Sequence, residues 1–102
     1  MRRVMVRYKV KADRAAENEG YIAAVFEQLK REQPSGLHYA SFKLEDGVSF
    51  MHIAMHDDAA GGNPLGTLAA FKTFTAAIRE RCEEPPVAVT LTEIGSYRLF
   101  GA

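Results

Sequence analysis

Cysteine is nearly missing: Cys82 is the only one in 102 residues. That excludes an internal disulfide and fits a reducing compartment. Charge of one sign is missing too, since thirteen basic and thirteen acidic residues give a formal net charge of zero. A nucleic-acid binder carries a basic footprint, so no nucleic-acid partner is expected. Long apolar runs are absent. Arg2 and Arg3 precede only the short apolar stretch Val4–Val6, too brief for a signal-peptide core or a membrane span. A cytoplasmic protein with no membrane partner is therefore expected. No repeat, low-complexity tract or linker interrupts the chain, and no nucleotide loop or nucleophile–base pair is visible. Two of the histidines, His52 and His56, fall four apart on one expected strand, roughly 13 Å from each other at strand rise, too far to share a metal. The string HDD at 56–58 adds open loop carboxylates, which are ordinarily solvated, so no metal is expected.

Hydrophobic residues at 47% and charged residues at 25% are those of an ordinary soluble globular protein. The length implies one domain, 1–102, with a core that is marginal without a partner. The organising stretch is Leu37–Asp58. It reads as two antiparallel strands joined at Asp46-Gly47, because a type I′ turn needs positive φ at both central residues. That turn pairs Lys43 with Phe50, Ser41 with His52, and Tyr39 with Ala54. One hairpin face then holds Ala40, Phe42, Leu44, Met51, Ile53 and Met55, nearly all apolar. The other holds Tyr39, Ser41, Lys43, Phe50, His52 and Ala54, and is mixed.

Upstream, residues 3–11 alternate as a half-buried strand, with Val4, Val6, Tyr8 and Val10 on one side and Met5, Arg7, Lys9 and Lys11 on the other. Asp13 is a candidate N-cap for a helix running to about Glu32, with Ile22, Val25, Phe26 and Leu29 as its apolar stripe. Downstream, residues 57–63 (DDAAGGN) form a loop expected to be mobile and to act as a lid over any pocket between helices and sheet. Asn63 and Pro64 open a second helix, with Leu68, Phe71, Thr75, Ile78 and Cys82 on its stripe. The run RERCEE reads as its solvated end, Cys82 as an inert core residue, and Pro85-Pro86 as its stop. Val87–Ile94 alternate as a last strand, and Tyr97, Leu99 and Phe100 form an apolar tail.

Strand, helix, strand, strand, helix, strand with right-handed crossovers gives an α+β fold: a four-stranded antiparallel sheet in the order 4-1-3-2 with two helices on one face. The nearly apolar hairpin face should meet the helices, taking Val4, Val6, Tyr8, Phe42, Met51, Ile53, Val87 and Val89 into the core. Met5, Arg7, Tyr39, Phe50, His52, Ala88 and Thr90 should lie on the far face, too apolar to stay exposed. A homodimer is expected to cover that face, with the tail reaching the partner.

Element order, length, the phenylalanine-rich second helix (LAAFKTFTAAI) and the tail GSYRLFG resemble the dimeric α/β-barrel superfamily. These are ferredoxin-like βαββαβ proteins that include antibiotic-biosynthesis-type monooxygenases. The resemblance spans essentially the whole chain and implies that two sheets pack face to face into a barrel. It also implies a small cofactor-independent monooxygenase or isomerase acting on a small aromatic or polyketide-like substrate, with no cofactor. The haem-degrading members use a tryptophan, and this chain has none. The acylphosphatase branch needs a glycine-rich phosphate loop after the first strand, where this chain reads VKADRAAE.

The candidate catalytic group is His52 as acid or base, with Arg7 expected beside it on the neighbouring strand and Tyr39 nearby. Ser41, across the hairpin from His52, together with Asn18 and Tyr21 on the first helix, are the candidate ligand-binding residues. A non-enzymatic ligand-binding or structural dimer is the alternative. A cavity open to solvent and lined by Arg7, Tyr39 or His52 favours the enzyme; a fully packed interior favours the alternative.

Overall fold

The computed structural model describes residues 1–57 and 64–99. β1 (Arg2–Val10) passes through a short 3-10 turn into α1 (Ala15–Glu32), followed by β2 (Leu37–Lys43) and β3 (Ser49–His56). A 3-10 turn at Pro64–Thr67 leads to α2 (Ala69–Ala76), α3 (Ile78–Arg81) and β4 (Cys82–Thr90). The sheet order is β2-β3-β1-β4, all antiparallel, which is the expected 4-1-3-2 read from the other edge. The expected lid lies, apart from Asp57, outside the described residues, as do Asn63 as a helix cap and Phe100 of the tail.

The hairpin register is the one expected, with Ser41 opposite His52 and Tyr39 opposite Ala54. Its turn differs. Gly47 takes φ +79° but Asp46 does not take positive φ, so this is no type I′ turn. Four residues connect the paired Leu44 and Ser49, and Asp46 holds them. Its carboxylate accepts from the amides of Val48 and Ser49 at 3.0 and 2.8 Å and from the Ser49 hydroxyl at 2.6 Å. These three donors hold its pKa down at about 2.

The second correction concerns faces. β1 pairs with β3 so that Val6 stands opposite His52, Tyr8 opposite Phe50 and Val4 opposite Ala54. Val4, Val6 and Tyr8 therefore share a face with Tyr39, Ser41, Phe50 and His52, and that face lies under the helices. The core joins Tyr8, Val10 and Phe50 of the sheet to Val25, Leu65, Leu68 and Phe74. Phe42, Met51 and Ile53 lie instead on the open face with Met5 and Arg7. In β4, Val87 and Val89 pair with Arg7 and Met5 on the open side, while Ala88 and Thr90 pair with Val6 and Val4. The mixed face goes inside because its polar side chains satisfy one another there, at a depth where an unpaired polar group costs about 1–3 kcal/mol.

The third correction is in the second half. The helix breaks at Ala77 (φ −126°, ψ 27°), and the strand starts at Cys82, not Val87. Pro85-Pro86 thus sits inside an edge strand, where a missing N–H is tolerated. Cys82 opens β4 opposite Val10 instead of riding on a helix. Asp13 belongs to the 3-10 turn and caps nothing by its side chain. α1 ends at Gln33, whose φ of 46° is the left-handed conformation common at helix ends.

Candidate functional site

The alternation of β1, β2 and β3 sends Tyr8, Tyr39, Ser41 and His52 to the same side of the sheet, and α1 brings Asn18 down onto them. Their hydrogen bonds form one chain. The buried Arg81 guanidinium, 1% exposed, donates from Nε to Asn18 Oδ1 at 3.3 Å. Asn18 Nδ2 donates to the Tyr8 hydroxyl oxygen at 2.9 Å, and that hydroxyl lies 2.8 Å from His52 Nε2. On the other side of the ring, His52 Nδ1 meets Ser41 Oγ at 2.6 Å and Tyr39 Oη at 3.0 Å.

A guanidinium can only donate, so the Asn18 amide must present its oxygen to Arg81 and its NH2 to Tyr8. With its oxygen accepting from Asn18, the Tyr8 hydroxyl is left to donate to His52 Nε2. The imidazole proton then sits on Nδ1, facing Ser41 and Tyr39. Arg81 is anchored independently. Its Nη2 donates to the Phe74 carbonyl at 2.7 Å, in the last turn of α2, where carbonyls lack intrahelical partners. Its guanidinium also lies 4.5 Å from the Tyr21 ring centroid and 5.6 Å from that of Phe74.

His52 is packed between aromatic rings: Tyr8 and Tyr39 stack on it with centroids at 5.4 and 5.9 Å, and Phe74 tilts against it at 5.5 Å. Burial disfavours the imidazolium and lowers the His52 pKa to about 4, so the ring is neutral at pH 7. Burial likewise raises Tyr39 to about 12 and pushes Tyr8 well above the ordinary phenol value, against the hydrogen bond from Asn18. Burial thus holds all three groups in their neutral forms at pH 7.

Above the network a cavity of about 580 Å³ opens between the sheet and the α2–α3 segment. That volume suits a small organic molecule. Tyr8, Tyr39, His52 and His56 are among its polar lining, and Val4, Val6, Phe71, Phe74 and Ile78 are among its apolar walls.

The structure gathers His52, Tyr39 and Ser41 as the sequence suggests, and joins Asn18 to them through Tyr8. Tyr21 stands one step further out, beneath Arg81. Arg7 is the exception: it pairs with Met51 on the opposite face and is no neighbour of His52. Sequence reading also missed Tyr8, taken as plain core, and Arg81, taken as part of a solvated helix end. A signal for Arg81 existed, since it follows Phe74 by seven residues and Ile78 by three, which is the spacing of the apolar stripe. The arginine joined to the network is thus Arg81, and Arg7 stands on the open face.

This fold is that of solved antibiotic biosynthesis monooxygenase structures. One superposes with a TM-score of 0.76 at 17% identity, covering 93% of this chain and 100% of that one. A variant of SnoaB, a cofactor-independent oxygenase from Streptomyces nogalater, gives 0.67 at 20% identity, with 93% and 94% covered. A protein of unknown function from Nitrosomonas europaea gives 0.72 at 18% identity, with 98% and 95% covered. No protein-family profile and no curated sequence matches the chain. Among the described residues no helix is long and apolar enough to cross a membrane.

Proposed function

We propose that the chain binds a flat aromatic small molecule in the helix–sheet cavity and moves a proton on it, as a cofactor-independent monooxygenase or isomerase. The carrying observation is the cavity of about 580 Å³ with Tyr8, His52 and Tyr39 in its wall. A phenolic or enolic substrate gives its proton to the Tyr8 oxygen while the Tyr8 proton passes to His52 Nε2. The imidazolium so formed is disfavoured by burial, and the anion created beside it compensates. From that anion two outcomes are open. Returning the proton at another carbon is an isomerisation. Reaction with dioxygen at an activated CH2 gives a carbonyl and one water, with all four electrons drawn from the substrate, so no external reductant is needed.

Hydroxynaphthalenes and anthrone are suitable probes, with binding followed by thermal shift and turnover by oxygen uptake and product spectra. Tyr8→Phe removes the proton-relay oxygen while keeping the ring stack. It is expected to bind the probes and to lose about a hundredfold in turnover, the ordinary size of a proton-transfer contribution. Equal turnover in wild type and Tyr8→Phe would remove the relay. Binding without any turnover in the wild type would point to the non-enzymatic ligand-binding protein.

The open sheet face supports a homodimer. Met5, Met51 and Ile53 line it, Phe42 and Val87 remain 44% and 60% exposed, and Tyr97 of the tail is 82% exposed. Two copies packed through this face would remove those side chains from water. Light scattering is expected to give twice the chain mass at micromolar concentration. Val89→Glu, or truncation after Gly95, is expected to weaken the dimer at least about tenfold by losing central apolar contacts. A monomeric wild type would end this reading.

A further inference from the structure

Burial along the helix-facing side of β1 runs in one direction. Arg2 is exposed, Val4 and Val6 are half-buried, and Tyr8 is buried. The cavity therefore has its mouth at Arg2 and its floor at Tyr8 and His52. Arg2 and Val6, the partner of His52 in the register, stand roughly 13 Å apart at strand rise. Arg79, exposed on α3, lines the same cavity from the helix side. Two guanidiniums thus border a largely apolar chamber, and no carboxylate is among the described residues of its lining. Neither forms an ion pair among the described residues.

We propose that Arg2 and Arg79 form an anion-binding rim, and that the ligand is an aromatic acid. Its ring system lies between Val4, Val6, Phe74 and Ile78, its anionic group meets the two guanidiniums, and its hydroxyl or carbonyl end reaches Tyr8 and His52. The spacing from mouth to floor suits two or three fused rings. An anion at the rim gains charge-assisted hydrogen bonds, and the apolar walls keep the local dielectric below that of water. A neutral ring of the same shape gains only the apolar contact. The inference rests on the cavity being the ligand site, and adds to it the charge of the substrate.

The test compares 2-naphthoate with 2-naphthylmethanol, which share a ring system and differ in charge. Methyl NMR shifts of Val4, Val6 and Ile78 locate binding in the cavity and give both dissociation constants. The acid is expected to bind about tenfold more tightly at low salt, and the advantage should shrink as salt rises. The Arg2→Gln, Arg79→Gln double variant alters only exposed side chains and is expected to bring the acid down to the alcohol. Equal affinities in the wild type, or an acid preference surviving in the double variant, would overturn the rim and leave the cavity reading standing. Failure of both compounds to move the three methyl sets would overturn the rim and the cavity reading together.

Discussion

Acidification from pH 7 toward 4 is expected to destabilise the protein through His52, well before the acid limb of its carboxylates is complete. Burial holds the native pKa at about 4, against 6.5 for the free side chain. Between those values the unfolded chain binds a proton that the native state refuses, so stability falls as pH falls. The contribution is fully present above the unfolded value and is lost as pH drops to the native one. Its size is about 3 kcal/mol, at 1.36 kcal/mol for each pKa unit. Urea unfolding at a series of pH values measures it, and His52→Gln, which keeps polar contacts but does not titrate, is the reference. The wild-type profile should fall away from the variant's between pH 6.5 and 4. Parallel profiles would mean that His52 charges as an exposed histidine does and that the chamber floor is wet.

Replacement of Arg81 is expected to have the largest effect of any single substitution. Arg81→Met keeps much of the side-chain length but removes the donors to Asn18 Oδ1 and to the Phe74 carbonyl, and the cation over Tyr21. Buried acceptors left without a donor, together with the lost ring contact, sum to about 3 kcal/mol. For a chain of this length that corresponds to a fall in Tm of about 12–24 °C. Arg81 is a positioning residue, so a second readout separates it from mere packing. Nitrogen NMR of the His52 ring should show Nε2 unprotonated in the wild type. Without Arg81 the Asn18 amide can turn over, and the two tautomers should mix. A Tm within a few degrees of wild type with an unchanged tautomer would refute the chain of donors.

The sheet could be read from the sequence because strict alternation in Val4–Val10 and the hairpin around Gly47 carry register directly. Orientation could not. Alternation tells which residues share a face, but not which face meets the helices, and here the more apolar side of β3, with Met51, Ile53 and Met55, is the one left open. The deciding fact is that Tyr8, Asn18, Ser41, His52 and Arg81 satisfy one another, which depends on side chains brought together from five segments. Placing Arg7 beside His52 failed for the same reason: a shift of one residue between β1 and β3 moves every side chain to the other side. The break at Ala77 is not legible either, because LAAFKTFTAAI keeps a helical period across it. Without that break Pro85-Pro86 reads as a helix stop, when the two prolines stand in a strand.

Those prolines also limit how the molecule can grow. β4 is one margin of the sheet, and its ladder to β1 already slips between Arg7 and Lys9. In a regular strand one of two adjacent backbone N–H groups always points outward, and proline supplies neither. A further chain trying to add itself alongside β4 would meet a missing donor on a bent margin. Lateral templating, the route by which sheets extend into fibres, is obstructed on that side. A neighbour can still meet the oily surface of Met5, Met51 and Val89 broadside, face against face, where no backbone donor is needed.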